Sequence, residues 1–436
     1  MCGINGIISK DKNKDKLIKS MNEKILHRGP DAEGIFVEGD VALGQRRLSI
    51  IDLAGGNQPI YNEDKSILIM YNGEVYNYKE LKEELTEYKF ETESDTEVVL
   101  HGYEKWGHDL PKKLRGMFAY AIYDKNKGEI FISRDQFGIK PLYYYHDGDT
   151  ILFGSEIKSF LAYPKFKKVL NKELLGAYLT FSFTPTDETF FKGVYRLPSG
   201  HSMTIDVKKR KIKIDRYFKV EFGNTDKSFD EVVKDISTAM KDSTEHHLIS
   251  DVEVGSFLSS GVDSSYLVSL AKPDKTYTIG FDLAKYSEID YAKDLTDKLN
   301  IKNISEKISK EEYMNALSEV YYHMDEPTAD GCAIAVYFLS RLASKDVKVV
   351  LSGEGADEFF GGYNSYDDNF YTKLPFFIRK SMASICKILP KNKITRYIIR
   401  RGLPLEESYV SINRTYYDDE LKDLSLIHIS EPTRPY

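Results

Sequence analysis

Short apolar or alternating runs dominate the first half of the chain. Ile4–Ile8, Val41–Leu43, Ile67–Tyr71, Phe118–Tyr123, Ile130–Ile132, Leu142–Tyr145 and Ile151–Phe153 are of this kind, several bounded by Gly, Asp or Asn, and are predicted strands. Lys16–Leu26, Tyr78–Leu85 and Thr96–Trp106 repeat apolar residues at spacings near three and four, which predicts helices. Ser94-Asp95 offers the last of these a cap. A polar, turn-rich stretch, Glu221–Asp230, reads as a linker. Beyond it strands (Glu253–Leu258, Thr276–Phe281, Asn303–Glu306, Val347–Leu351) alternate with helices (Phe229–Leu248, Ile289–Leu299, Glu311–Met324, Ala333–Ala343). That alternation predicts an α/β domain with a parallel sheet covered on both faces.

Composition narrows the class. At 436 residues the chain has room for two or three domains, and 41% hydrophobic with 30% charged residues is ordinary globular usage. The net charge, 61 − 68 = −7, gives no reason to expect a nucleic-acid partner. The basic run Lys208–Lys211 sits between Ile205, Val207, Ile212 and Ile214 and reads as a solvated hairpin tip. Lys373 to Arg401 holds basic residues and no acidic ones. It reads as the wet face of surface helices, or else as a face toward an anionic ligand or the acidic remainder of the chain. Cys2, Cys332 and Cys386 show no CxxC spacing, so free thiols in a reducing compartment are expected. No signal-peptide pattern and no run long enough to span a bilayer is present, which predicts a cytoplasmic address without a membrane partner.

Chemistry enters at Cys2. If Met1 is removed, the thiol shares a residue with a free α-amine of pKa near about 8, so nucleophile and base come from one residue. Five blocks follow in order: His27-Arg28-Gly29-Pro30-Asp31, Arg47-Leu48-Ser49-Ile50-Ile51-Asp52, Tyr71-Asn72-Gly73-Glu74-Val75-Tyr76-Asn77, Ser94-Asp95-Thr96-Glu97 and Arg134-Asp135-Gln136-Phe137-Gly138-Ile139-Lys140-Pro141-Leu142-Tyr143. Taken singly, Asn72-Gly73 is a turn, Arg47 a surface cation and Asp95 a helix cap. Taken together after Cys2, they resemble the class II glutamine amidotransferases. The resemblance implies an α+β N-terminal nucleophile sandwich (αββα) over 2–220. It also implies Cys2 as nucleophile, with Asn72 and Gly73 holding the oxyanion. The implied glutamine site is Arg47, Leu48, Ile50, Ile51, Asn72, Gly73, Glu74 and Asp95, with Arg47 facing the α-carboxylate and Asp95 the α-ammonium.

The second half carries Phe257-Leu258-Ser259-Ser260-Gly261-Val262-Asp263-Ser264-Ser265 between a strand and a helix. Small-residue loops at helix N-termini suit phosphates. This one lacks the GxxxxGK[ST] pattern and resembles the SGGxDS loop of N-type ATP pyrophosphatases, with Ser260 at the first glycine. A second acidic loop, Leu351-Ser352-Gly353-Glu354-Gly355-Ala356-Asp357-Glu358, follows another strand. His323-Met324-Asp325-Glu326-Pro327 is a further polar cluster, in which His323 reads as structural.

In this order the two halves, Cys2 to about Tyr363, resemble the glutamine-hydrolysing asparagine synthetases. That implies glutamine, aspartate and ATP as substrates, with β-aspartyl-AMP as intermediate. It implies Leu258 and Ile279 at the adenine, and Ser259, Gly261, Ser264, Ser352 and Gly353 on ATP. Glu354 is then catalytic, with Asp263 and Asp357 on Mg²⁺. The synthetase domain is expected over 231–423, incomplete, because the family's further ATP-site residues do not follow. Leu424–Arg434 reads as a translated sequencing adapter, so 424–436 is expected to be a foreign tail. Three alternatives stay open: amidation of another carboxylate, such as one on a cell-wall precursor; a glutaminase alone, if the chain truly ends here; and a non-synthesising sensor. The oligomeric state is also open, a homodimer being one option.

Overall fold

The strand-forming runs of the first half close into two six-stranded antiparallel sheets. The structure, a computed structural model, describes residues 1–282, 287–328, 331–363, 373–390 and 392–404. The predicted tail at 424–436 and the end of the synthetase domain at 405–423 lie outside the described residues. In chain order the first-half elements are β1 (Gly3–Ile8), α1 (Lys14–Lys24), β2 (Ala32–Glu38), β3 (Val41–Arg47), β4 (Ile60–Tyr61), β5 (Ile67–Val75), α2 (Tyr78–Glu84), α3 (Asp95–Trp106), β6 (Gly116–Asp124), β7 (Glu129–Arg134), β8 (Tyr143–His146), β9 (Ile151–Gly154), α4 (Leu175–Phe181), β10 (Val194–Arg196), β11 (His201–Asp206) and β12 (Lys211–Arg216). One sheet runs β10-β8-β9-β1-β3-β2 and the other β12-β11-β7-β6-β5-β4.

The period of two sorts each strand onto two faces. On β1, Ile4 and Ile8 meet Leu68, Met70 and Ala121 in a core shared by both sheets. Ile7 turns the other way, onto Ile18 and Met21 of α1. On β5, Leu68 and Met70 join the shared core, whereas Ile69 and Tyr71 pack on Val99 and Tyr103 of α3. Helix, sheet, sheet and helix therefore stack as the expected αββα sandwich. Burying each such aliphatic side chain is worth about 1.5–3 kcal/mol, so the register is strongly set. The basic run at Lys208 is the tip of the β11–β12 hairpin.

Tyr217–Ser228 carries no regular element. The second half then builds α5 (Phe229–His247), β13 (Val254–Phe257), α6 (Val262–Ala271), β14 (Lys275–Phe281), α7 (Ile289–Leu299), β15 (Lys302–Ile308), α8 (Lys310–Met324), α9 (Cys332–Ala343) and β16 (Val349–Leu351). A capping box at Ser228 and Glu231 fixes the start of α5. All pairings in the sheet β15-β14-β13-β16 are parallel. One apolar cluster joins Leu258 to Val268 of α6 and Ala292 of α7, and another joins Ile308 to Val320 of α8 and Phe338 of α9. This is the expected helix-flanked parallel sheet.

Packing divides the chain into two units. The first, Met1–Leu170, Asp187–Asp325 and Cys332–Ser352, holds all three sheets. The second collects described residues of Asn171–Thr186, Glu326–Gly331 and the segment from Gly353 onward. It contains α4, then α10 (Ala356–Phe360), α11 (Phe376–Cys386) and α12 (Lys393–Arg401). The basic run from Lys373 supplies α11 and α12, and Arg379 of the former donates to the Arg401 carbonyl of the latter (2.8 Å). Among the described residues no helix is long and apolar enough to cross a membrane.

Candidate active site

Cys2 stands at the entrance of β1, whose first residue, Gly3, is paired with Arg46 of β3. The backbone N–H of Leu48, just past β3, points at the Cys2 thiol (3.3 Å). Arg28 Nε donates to the Cys2 carbonyl (2.9 Å) and so fixes the backbone that carries this thiol. Burial pushes the neighbouring amino terminus down to about 5, with Arg28 and Lys140 lowering it and Cys2 raising it. The Met1 amine is therefore held in its neutral form at pH 7. Lys140 is itself buried, which pushes its ammonium down while Glu74 pulls it up.

β5 delivers the next three residues. Asn72 has the parity of Leu68 and Met70, and its side chain is fully buried. Neither its Nδ2 nor its Oδ1 has a hydrogen-bond partner among the described residues. A buried, unpaired amide is costly, and is what a pre-set donor looks like before its acceptor arrives. Gly73 lies opposite Phe118 of β6, and a Cβ there would stand 2.3 Å from the Met117 carbonyl oxygen. Only glycine permits that approach. Burial, and then the Asp95 carboxylate, push Glu74 up to about 7, against the pull of Lys140.

Asp95 opens α3 behind the Ser94 cap, whose side chain accepts from Thr96 N–H. One Asp95 oxygen accepts from Val75 N–H (2.9 Å) and the Tyr71 hydroxyl (2.9 Å), which ties α3 to β5. Burial pushes Asp95 up to about 6, against these hydrogen bonds. Arg47, at the end of β3, is buried and donates to the carbonyls of Ile51 (3.1 Å), Asp52 (2.6 Å) and Leu53 (3.4 Å) and to Asn57 Oδ1 (3.0 Å). Its fork thus shapes the loop that contains Leu48, Ile50 and Ile51.

The phosphate-loop residues sit at the carboxyl ends of the parallel strands. Ser259 and Ser264 join through their hydroxyls (2.9 Å), and Ser259 Oγ accepts from Gly261 N–H (3.1 Å). Gly261 caps α6, and Asp263 lies exposed in the first turn of that helix. Ser260 is not among the residues at positive φ, so serine costs nothing in place of the family's glycine. Leu258 is buried on α6 and α7, and Ile279 is partly buried on β14. Ser352 follows β16, which pairs with β13, as β13 does with β14. Gly353, Glu354 and Asp357 belong to the second unit, where Gly355 caps α10 at φ +92°. Among the described residues no three His, Cys, Asp or Glu side chains gather as a metal cage.

A family model described as a glutamine amidotransferase domain matches residues 1–218, and one described as asparagine synthase matches residues 235–422. The glutamine-hydrolysing asparagine synthetase 1 of Bacillus subtilis (strain 168) is 41% identical over 444 residues, which cover 98% of this chain and 70% of that protein. This chain belongs to the glutamine-hydrolysing asparagine synthetases. A putative second enzyme of that name from Methanocaldococcus jannaschii is 36% identical, over 99% of this chain and 86% of its own length.

Sequence reasoning overlooked one feature in this asparagine synthetase family member. Arg28, which holds the Cys2 backbone, also donates to Glu156 (3.0 Å). Glu156 pairs with Lys158, and Lys158 pairs with Asp325 (3.0 Å) just past α8. All four side chains are at least nine-tenths buried. Burial favours a protonated Glu156, but His27, Arg28 and Lys158 outweigh it and hold the carboxyl down at about 2. His323 packs edge-on against His27 (4.4 Å). The signal was Arg28 inside a quoted motif, whereas nothing local marks Lys158.

Proposed function

We propose that the chain makes asparagine from aspartate, ATP and glutamine through two coupled sites. The observation that carries the reading is the Asn72 amide, buried and unpartnered beside a glycine that no other residue can replace, on the sheet facing that of Cys2. Residues 2–220 are the glutaminase domain in this reading, 221–230 the linker and 231–423 the synthetase domain. Loss of Met1 places the Cys2 amine beside its own thiol. The amine takes the thiol proton, and the thiolate attacks the δ-carbon of glutamine. Asn72 Nδ2 and the Gly73 N–H donate to the tetrahedral oxyanion. Collapse expels ammonia, which carries the transferred proton, and leaves a thioester that water hydrolyses to glutamate. Glu74 and Asp95 receive the glutamine α-ammonium, and the loop shaped by Arg47, with Leu48, Ile50 and Ile51, receives the remainder.

At the second site an aspartate side-chain oxygen attacks the α-phosphorus of ATP, and pyrophosphate leaves. Ammonia then attacks the acyl carbon of β-aspartyl-AMP, and AMP leaves. Leu258 and Ile279 border the adenine. Ser259, Gly261, Ser264, Ser352 and Gly353 hold phosphate oxygens, and Glu354 assists formation of the intermediate. Mg²⁺ fits the oxygen donors Asp263 and Asp357. With no cage among the described residues, it would be held by such carboxylates together with phosphate oxygens, which is its usual manner, and would offset the charge of pyrophosphate. Cys2, Cys332 and Cys386, none of them joined in a disulfide, support a reducing, cytoplasmic address.

The test uses ¹⁵N-amide glutamine with aspartate and ATP, and mass spectrometry of the product. Labelled asparagine from the wild type, lost in Cys2→Ala but restored by ammonium, is the expected result. A different amide product, or none, overturns the acceptor. Loss of both activities in Cys2→Ala makes Cys2 structural.

A further inference from the structure

The loop 48–57, which Arg47 shapes from one side, is gripped from the other by the ATP-binding sheet. Asp251 Oδ2 accepts from Asp52 N–H (2.7 Å), and the Asp251 N–H donates to the Ile50 carbonyl (3.1 Å). Lys348 Nζ donates to Asp31 Oδ2 (2.7 Å), and that same oxygen accepts from Ser49 N–H (2.9 Å). Loop residues 49, 50 and 52 are therefore bonded, directly or through Asp31, to two residues of the second half.

Asp52 is the pivot. It is in the left-handed region at φ +50°, a conformation an L residue keeps only when its surroundings enforce it. Its Oδ1 accepts from Gly55 N–H (2.7 Å), its Oδ2 from Glu93 N–H (3.0 Å) and its carbonyl from Arg47. Asp251 takes the N–H that these leave.

Asp251 lies three residues before β13 and Lys348 immediately before β16. These two strands are neighbours, with Val254 paired to Val349. Their far ends lead to Leu258–Ser264 and to Ser352, the proposed ATP contacts. At about 3.3 Å per residue, strands of three and four residues are rigid struts of roughly 10–13 Å.

We infer that Asp251 and Lys348 are positioning residues for glutamine hydrolysis, which set the glutamine-binding loop from the foot of the ATP-binding sheet. The inference rests on the proposed glutaminase at Cys2. Neither residue belongs to the proposed substrate contacts.

Steady-state glutamate release from glutamine, and ammonium-driven asparagine formation, are measured on the full chain and five variants, Cys2→Ala among them. Asp251→Ala is expected to raise KM for glutamine by about 10-fold, and Lys348→Met by about 5-fold, the factors equivalent to roughly 1.4 and 1 kcal/mol. In both, kcat and ammonium-driven synthesis stay within about twofold of wild type. Asp251→Asn, which keeps an acceptor oxygen, and Lys348→Arg, which keeps a cation, restore KM. A wild-type KM in Asp251→Ala overturns the inference. So does an equal fall in ammonium-driven synthesis, which would mean damage to the ATP sheet itself. If the wild type releases no glutamate, or Cys2→Ala releases as much, the glutaminase reading fails first and the inference falls with it.

Discussion

Replacing Lys158 by Met tests whether the buried alternation of charge from Arg28 to Asp325 supports the fold. The ammonium is 3% exposed and lies between Glu156 and Asp325. At 3.0 Å and an effective dielectric constant near 20, the Lys158–Asp325 attraction alone is about 5 kcal/mol. Desolvation of the ammonium offsets part of this. What the substitution leaves behind decides the outcome: Glu156 keeps His27 and Arg28, whereas among the described residues Asp325 keeps the N–H groups of Ile157 (2.6 Å) and Lys158 (3.4 Å) and no cation. Orphaning one partner of a buried pair costs about 3–5 kcal/mol. For a unit of this size, in which about 3 kcal/mol is spread over a large unfolding entropy, the melting midpoint should fall by at least about 4 °C.

Scanning calorimetry from pH 5 to pH 8 measures the fall. Burial already holds the Asp325 carboxyl above its ordinary range, and loss of Lys158 raises it further. A raised native pKa gives stability that is present below the unfolded value and lost as pH rises through the folded one. The deficit of Lys158→Met should therefore widen from pH 5 to pH 8. Lys158→Met with Asp325→Asn should regain at least half of it, since no bare carboxylate remains. A midpoint within about 1 °C of wild type, or a double variant no better than the single, refutes the reasoning.

Asn72→Ala should cut glutamate release by about 10²–10³-fold while leaving the melting midpoint unchanged or higher, since it deletes an unpaired buried amide; calorimetry beside the assay checks both. Gly73→Ala should lose activity and about 1–3 kcal/mol of stability together, because its methyl would meet the backbone of β6; urea unfolding reads the second. Glu74 near 7 and Asp95 near 6 hold protons that an incoming α-ammonium would expel, so kcat/KM for glutamine should fall as pH drops below about 7, and Glu74→Gln should remove that upper step; a flat profile from pH 6 to pH 8 refutes it. Ser260→Gly should leave KM for ATP within about twofold of wild type, since Ser260 is not at positive φ.

Elements with a strong period were legible in the sequence, and those without one were not. Helix α7 spans the predicted Ile289–Leu299, and α5 and α9 begin and end within one residue of expectation. β2 was overlooked because Ile35 and Val37 turn outward on an edge strand, so its apolar residues run together instead of alternating. β4, two residues long, has no pattern to read. Asn72, Gly73 and Asp95 could be singled out as candidates because each lies in a short dense motif, and Cys2 because those motifs follow it. The loop-shaping role of Arg47 could not, since it depends on carbonyls whose directions no side chain announces. Lys158 and Asp325 stand 167 positions apart, and a lysine three residues after Ser155 looks like any surface cation until the fold buries it.

The two kinds of bridge between the sandwich and the parallel sheet differ in depth, and that difference assigns them different parts. The chain from Arg28 to Asp325 is buried, alternates in sign and ends on the backbone of Cys2, the proposed nucleophile. Breaking it anywhere strands a charge, so it is suited to holding the two halves in one arrangement and poorly suited to yielding. Asp251 and Lys348 are exposed, and each grips a loop through one or two hydrogen bonds worth little in water. Such contacts are weak enough to be remade as a substrate enters, yet they stand at the feet of strands whose far ends lead to the proposed ATP contacts. A rigid joint at the nucleophile and a yielding one at the loop would let the glutamine loop respond to the ATP sheet without moving Cys2. On this argument, substitutions in the buried chain register first in melting, and substitutions at Asp251 or Lys348 register first in KM for glutamine.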